Sequence, residues 1–120
     1  MFKVMFIDDD PMVLRMASFM MKKSGYASVT AQSGEEGLAA AAAESPALIM
    51  VDAEMPGTDG FEVTRQLTSG QTAAPVCMMS GTITDEIRAQ ALSAGAIDII
   101  EKPLKAPDIL RIIGQIKTEG

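Results

Sequence analysis

An α/β fold, a (βα)5 doubly wound five-stranded parallel sheet, follows from three observations in the 120-residue sequence. Short apolar runs recur five times, helix-like stretches with readable caps separate them, and four of the runs end on polar or charged residues. Runs that are apolar throughout suit strands covered on both faces. A helix in every connection makes those strands parallel, with right-handed crossovers. A chain of this length is expected to form one domain, residues 1–120, burying roughly 65–70% of the surface its unfolded form exposes.

The first run, Lys3 to Ile7, leads into Asp8, Asp9 and Asp10. Pro11 suits the first turn of a helix, and Lys22 and Lys23 before Gly25 suit its C-terminal dipole. Tyr26 to Ala31 is a weaker strand candidate. Ser33 and Glu36 have the spacing of a capping box ahead of the helix-favouring run Ala39 to Ala43. Ala47 to Val51 ends at Asp52, and Asp59 and Glu62 repeat the cap spacing before Val63, Gln66 and Leu67. Pro75 to Met79 ends at Ser80 and Gly81. Thr84, Asp85 and Glu86 then open a helix expected to stop near Gly95. Ile97 to Ile100 ends at Glu101 and Lys102. Pro107 and Asp108 open the last helix, whose apolar stripe is Ile109, Leu110, Ile112, Ile113 and Ile116. Met5, Met50, Met78 and Met79 on strands read as core filler. The row Met12, Met16 and Met20 reads the same way, and Cys77 as a small buried hydrophobe.

Composition narrows the chemistry. No histidine is present, so a His-based metal site, a Ser/His or Cys/His nucleophile pair and an imidazole proton shuttle are all excluded. One cysteine forms no internal disulfide. The formal charge of −6 argues against sequence-independent nucleic-acid binding, which needs aligned basic residues. No apolar run reaches membrane-spanning length and no leader is visible, so a cytoplasmic protein without membrane contact is expected. Most of the negative excess lies in residues 1–60, where Asp8, Asp9, Asp10, Asp52, Glu54 and Asp59 form two tight groups.

In open α/β sheets the functional crevice lies beyond the carboxyl ends of the strands. The residues there are Asp8, Asp9, Asp10, Asp52, Ser80 and Lys102. Clustered carboxylates need a proton or a cation, and hard oxygen ligands select Mg2+, with Mn2+ as a substitute. Carboxylate nucleophile, divalent cation, lysine and hydroxyl together describe an aspartyl-phosphate site.

The segments Ile7-Asp8-Asp9-Asp10-Pro11, Val51-Asp52-Ala53-Glu54-Met55-Pro56-Gly57-Thr58-Asp59-Gly60, Met79-Ser80-Gly81 and Lys102-Pro103 occur in order at four strand ends. In this the chain resembles a response-regulator receiver domain of bacterial two-component signalling, of the chemotaxis-regulator kind. The resemblance implies a flavodoxin-like strand order 2-1-3-4-5. It implies Asp52 as phospho-acceptor and Mg2+ held directly by Asp9, Asp52 and the Glu54 backbone carbonyl, with Asp8 acting through water. Lys102 would pair first with Asp52 and then with a phosphate oxygen. Ser80 would bind the phosphoryl group, Gly81 would leave room beside it, Asp10 would support the loop, and Pro103 would follow in a peptide commonly cis.

The same resemblance implies a sensor histidine kinase or phosphotransfer protein as donor, and a protein target or a separate output domain downstream. The signal would leave through the face formed by Thr84 to Ala94, Ile97 to Glu101 and Pro107 to Lys117, which could also support a homodimer. No output domain is expected in residues 1–120 themselves. Ile99 stands where family members often carry Tyr or Phe as a switch residue, and Glu54 and Thr82 stand where they tune access of hydrolytic water. The resemblance implies a domain that catalyses only its own phosphorylation and dephosphorylation. Two readings of other classes compete: a phosphorylation-independent interaction module on this fold, and a small flavodoxin-like or phosphatase-like enzyme. The first would usually have lost an acid, the acceptor or the lysine. Against the second, aspartates occupy the loop where a phosphate-cradling loop carries Gly, Ser or Thr.

Overall fold

The structure, a computed structural model, describes residues 2–70 and 74–119. Five strands, β1 (Lys3–Ile7), β2 (Ala27–Ala31), β3 (Leu48–Asp52), β4 (Val76–Ser80) and β5 (Asp98–Glu101), form one parallel sheet in the order β2-β1-β3-β4-β5. Helices α1 (Pro11–Lys23), α2 (Gly34–Glu44), α3 (Gly60–Ser69), α4 (Asp85–Ser93) and α5 (Ala106–Glu119) follow the strands in turn. The expected architecture and strand order are therefore observed. Strand bounds shift by a single residue: Tyr26, Ala47, Pro75 and Ile97 precede their strands.

Alternate side chains of the buried strands feed two cores. Val4, Phe6, Leu48, Met50, Cys77 and Met79 face α1 and α5, packing with Leu14, Ala17, Met21, Ile109, Ile112 and Ile113. Met5, Ile7, Ile49, Val51, Met78 and Ile99 face the other way, against Ala41, Val63, Leu67 and Ala91. Each fully buried large side chain contributes about 1.5–3 kcal/mol, a surplus that lets the strand ends hold buried Asp8, Asp52 and Ser80. Cys77 is fully buried, and burial followed by the negative field of Asp98 pushes its thiol up to about 12.

Helix starts follow the cap residues. Asp10 accepts from the Met12 N–H, Ser33 from Glu36, Asp59 from Phe61 and Thr84 from Ile87. The capping box at Ser33 is modified, because the Glu36 carboxylate accepts from the Gln32 N–H instead of the cap residue's own. Glu62 pairs with Arg65 rather than closing a box on Asp59. The last helix begins one residue early, at Ala106.

Two expected apolar faces are corrected. Met12 and Met16 are 58% and 48% exposed and Met20 is half-buried, because α1 buries the row Leu14, Ala17 and Met21 instead. Leu110 stands outside the α5 stripe, 37% exposed, beside buried Ile109, Ile112 and Ile113. Among the described residues no helix is long and apolar enough to cross a membrane.

Candidate functional site

Parallel register brings the chemistry to one rim. Ile7 lies opposite both Ala31 and Val51, Asp52 opposite Met79, and Ser80 opposite Glu101. Hydrogen bonding continues one residue beyond the strands, from the Ala53 N–H to the Met79 carbonyl and from the Lys102 N–H to the Ser80 carbonyl, each at 2.8 Å. Asp8, Asp52, Ser80 and Lys102 therefore sit at the carboxyl ends of adjacent strands, each fixed by its own strand's ladder.

A two-residue antiparallel ladder, Glu54–Met55 with Thr58–Asp59, folds the segment after β3 back on itself. Gly57, at φ +70°, supplies the turn, a backbone conformation that L side chains rarely adopt. Gly60 opens α3 directly against β3: a Cβ there would fall on the Asp52 carbonyl oxygen and within 2.9 Å of the Ala53 Cα. The Asp-Gly pair is thus one device, with Asp59 capping α3 and Gly60 letting that helix begin against the backbone of Asp52.

Asp8 and Asp52 are buried and Asp9 is exposed, and one carboxylate oxygen from each lies within 4.8 Å of the others. The Lys102 ammonium lies 2.7 Å from Asp8 Oδ2 and 3.2 Å from Asp52 Oδ2. It therefore bridges two carboxylates, with the shorter contact to Asp8, where the sequence placed it on Asp52 first. The inner oxygens are also engaged: the Asp10 N–H donates to Asp8 Oδ1 at 2.9 Å and the Glu54 N–H to Asp52 Oδ1 at 3.1 Å. The Lys102–Pro103 peptide is cis.

Burial raises the Asp52 carboxyl above its ordinary range; the Glu54 N–H works against this, Asp8 adds to it, and Lys102 opposes it. Burial works to lower the Lys102 ammonium, but its bond to Asp8 and the charges of Asp52 and Asp8 outweigh it and raise the group above the ordinary lysine range. Three carboxylates against one ammonium leave two negative charges concentrated at the rim. A divalent cation with oxygen preference fits that donor set.

Ser80 is buried, and its hydroxyl has two acceptors in reach, the Thr82 carbonyl at 2.7 Å and Glu54 Oε2 at 3.1 Å. It accepts from the Thr82 N–H at 3.2 Å, and the Gly81 N–H donates to Glu54 Oε1 at 2.9 Å. The side-chain reach of Glu54 onto Ser80 and Gly81 is what sequence reasoning missed, having named Glu54 for its backbone carbonyl and for tuning access of water. The signal available was only that an acid two residues past one strand end faces a hydroxyl at the next. Ile99 is buried in the core over α3 and α4.

The family model of the response regulator receiver domain matches residues 4–114. The chain belongs to the response-regulator receiver family. Receiver domains are signalling modules of two-component systems rather than turnover enzymes. The chain is 30% identical to Protein PilH of Pseudomonas aeruginosa over 118 residues, covering 97% of this chain and 98% of that one. It spans about half the length of the first transcriptional regulatory proteins it matches. Among solved structures it superposes on a CheY-like receiver domain protein from Methanospirillum hungatei with a TM-score of 0.89 at 26% identity, covering 100% of this chain and 99% of that one. A response regulator from Burkholderia pseudomallei, crystallised with a phosphorylated aspartic acid, calcium ion and citrate, gives 0.85 at 25% identity, covering 92% of this chain and 65% of that one.

Proposed function

We propose that this receiver accepts a phosphoryl group on Asp52 from a phosphohistidine of a sensor kinase or phosphotransfer protein, in a Mg2+-dependent reaction. The single observation behind this reading is the rim itself, with buried Asp52 bonded to Lys102 at 3.2 Å and grouped with Asp8 and Asp9. Asp9, Asp52 and the Glu54 carbonyl would hold the cation, with Asp8 behind it. When bound, the cation neutralises carboxylate and phosphoryl charge together.

An Asp52 carboxylate oxygen attacks phosphorus in line as the bond from phosphorus to the donor's imidazole nitrogen breaks. The electron pair leaves on that nitrogen. Lys102, paired with Asp8 and Asp52 before transfer, would pair with an oxygen of the arriving phosphoryl group as the Asp52 oxygen forms its bond to phosphorus, and Ser80 donates to a phosphoryl oxygen. Asp10, capping α1 and donating its N–H to Asp8, holds the loop. Positioning and charge neutralisation supply the catalysis.

The signal would leave through α4, β5 and α5, toward a protein target, a separate output domain or a second copy of this chain. Drawing Ser80 toward the phosphoryl group pulls on the Thr82 carbonyl it bonds, and so on the start of α4. Intact-mass spectrometry with phosphoramidate tests the reading: one phosphoryl group should be gained with Mg2+ and none with a chelator. A chain that gains none in Mg2+ is the phosphorylation-independent module instead.

A further inference from the structure

The contact that joins Glu54 to β4 has a chemistry of its own. The Glu54 backbone is pinned by its bond to Asp52 and its pairing with Asp59, while its side chain crosses to the neighbouring strand end. There Oε1 accepts from the Gly81 N–H at 2.9 Å, and Oε2 lies 3.1 Å from the Ser80 hydroxyl, whose single hydrogen also has the Thr82 carbonyl in reach at 2.7 Å. A carboxylate offers two oxygens sharing one negative charge, as two oxygens of a phosphoryl group do. The space in front of Gly81 is otherwise open: a Cβ built there meets nothing within 4 Å except Glu54 Oε1.

We infer that the Glu54 carboxylate is a tethered competitor for the phosphoryl-binding donors, occupying Ser80 and Gly81 until a phosphoryl group on Asp52 displaces it. The inference rests on the aspartyl-phosphate reading above. Its physical basis is intramolecular: an anion held by a short covalent tether is present at an effective concentration near millimolar or above, without any translational cost of binding. An arriving phosphoryl group must break the Gly81 N–H bond to a charged acceptor and displace that acceptor from the Ser80 hydroxyl, and Glu54, which is exposed, swings into solvent. Glu54 is a positioning residue in this role, since it acts through Ser80 and Gly81.

The test reads binding rather than turnover. Beryllofluoride is titrated into the full chain at saturating Mg2+ while the Gly81 amide is followed by NMR, in wild type, Glu54→Ala and Glu54→Asp. Before titration, the Gly81 amide of wild type should lie downfield of its position in both variants, because it donates to a carboxylate only in wild type. Glu54→Ala should bind beryllofluoride about tenfold more tightly than wild type. Glu54→Asp keeps the charge but is one methylene too short to reach both donors, and should gain nearly as much. Equal affinity of wild type and Glu54→Ala overturns the inference. So does a Glu54→Asp affinity that stays at the wild-type value while Glu54→Ala tightens, since charge alone would then explain the effect. No response from either wild type or Glu54→Ala contradicts the aspartyl-phosphate reading itself and the inference with it. That outcome is distinct from failure of the competitor alone, in which both chains respond with one affinity.

Discussion

Lys102 holds together two buried carboxylates that would otherwise repel each other, so its loss and theirs have opposite signs. Lys102→Ala leaves Asp8 and Asp52 unpaired at the rim and should destabilise the metal-free chain by about 2–4 kcal/mol in a denaturant titration, somewhat less than for a fully buried pair because the lysine is 20% exposed. Asp52→Asn removes a carboxylate whose burial outweighs its partners, while Lys102 keeps its shorter contact to Asp8. It should stabilise the metal-free chain by about 1–2 kcal/mol at pH 7. The sign with pH follows from the raised Asp52 carboxyl. A group raised in the folded state favours folding below its unfolded value and loses that contribution as pH rises through the folded one. The advantage of Asp52→Asn should therefore shrink as pH is lowered through the folded Asp52 value, as followed by thermal melts of the two chains in parallel. An advantage that grows on acidification contradicts the assignment of burial as the dominant cause.

At the level of elements, β3 and α3 meet through a glycine and α4 is held by little. Gly60→Ala should cost about 3 kcal/mol or more in a thermal melt, because its Cβ meets backbone rather than a flexible side chain. In α4 only Ala91 is buried, with Ile87, and Ile83 in the loop before the helix, packed partly against the core, whereas α5 buries Ile109, Ile112 and Ile113. Amide hydrogen exchange in α4 should therefore run at least about tenfold faster than in α5. Equal protection would remove α4 as the element that answers a pull on Ser80 and Thr82. These elements also show what the sequence could and could not disclose. Caps at Ser33, Asp59 and Thr84 are local chemistry and were legible, as were uniformly apolar strands. Which side of α1 faces the sheet is decided by its packing on β1 and β2, which the helix's own spacing does not show, so an i, i+4 methionine row was as plausible a core stripe as Leu14, Ala17 and Met21. The partners of the Glu54 side chain escaped for a related reason: Ser80 and Gly81 are 26 and 27 residues away, and only strand register brings them within its reach.

For the whole molecule, the net charge of −6 is organised rather than spread. Two negative charges in excess of Lys102 sit at the rim, where a divalent cation would offset them. Mg2+ should raise the melting temperature of wild type, by an amount equivalent to about 2.7 kcal/mol at a hundredfold excess over its dissociation constant, and should do so far less for Asp9→Asn. Equal shifts would indicate that the cation binds elsewhere. The strand order placing β1, β3, β4 and β5 side by side converts four distant sequence segments into one site. The central claim is that this site makes Asp52, and no other carboxylate, the acceptor. Its most direct measurement is peptide mapping of the chain after phosphoramidate and Mg2+, in wild type and Asp52→Ala. The modification should fall on the peptide carrying Asp52 and vanish in the variant; a phosphoryl group that survives the substitution, or maps to Asp8 or Asp9, would contradict the account.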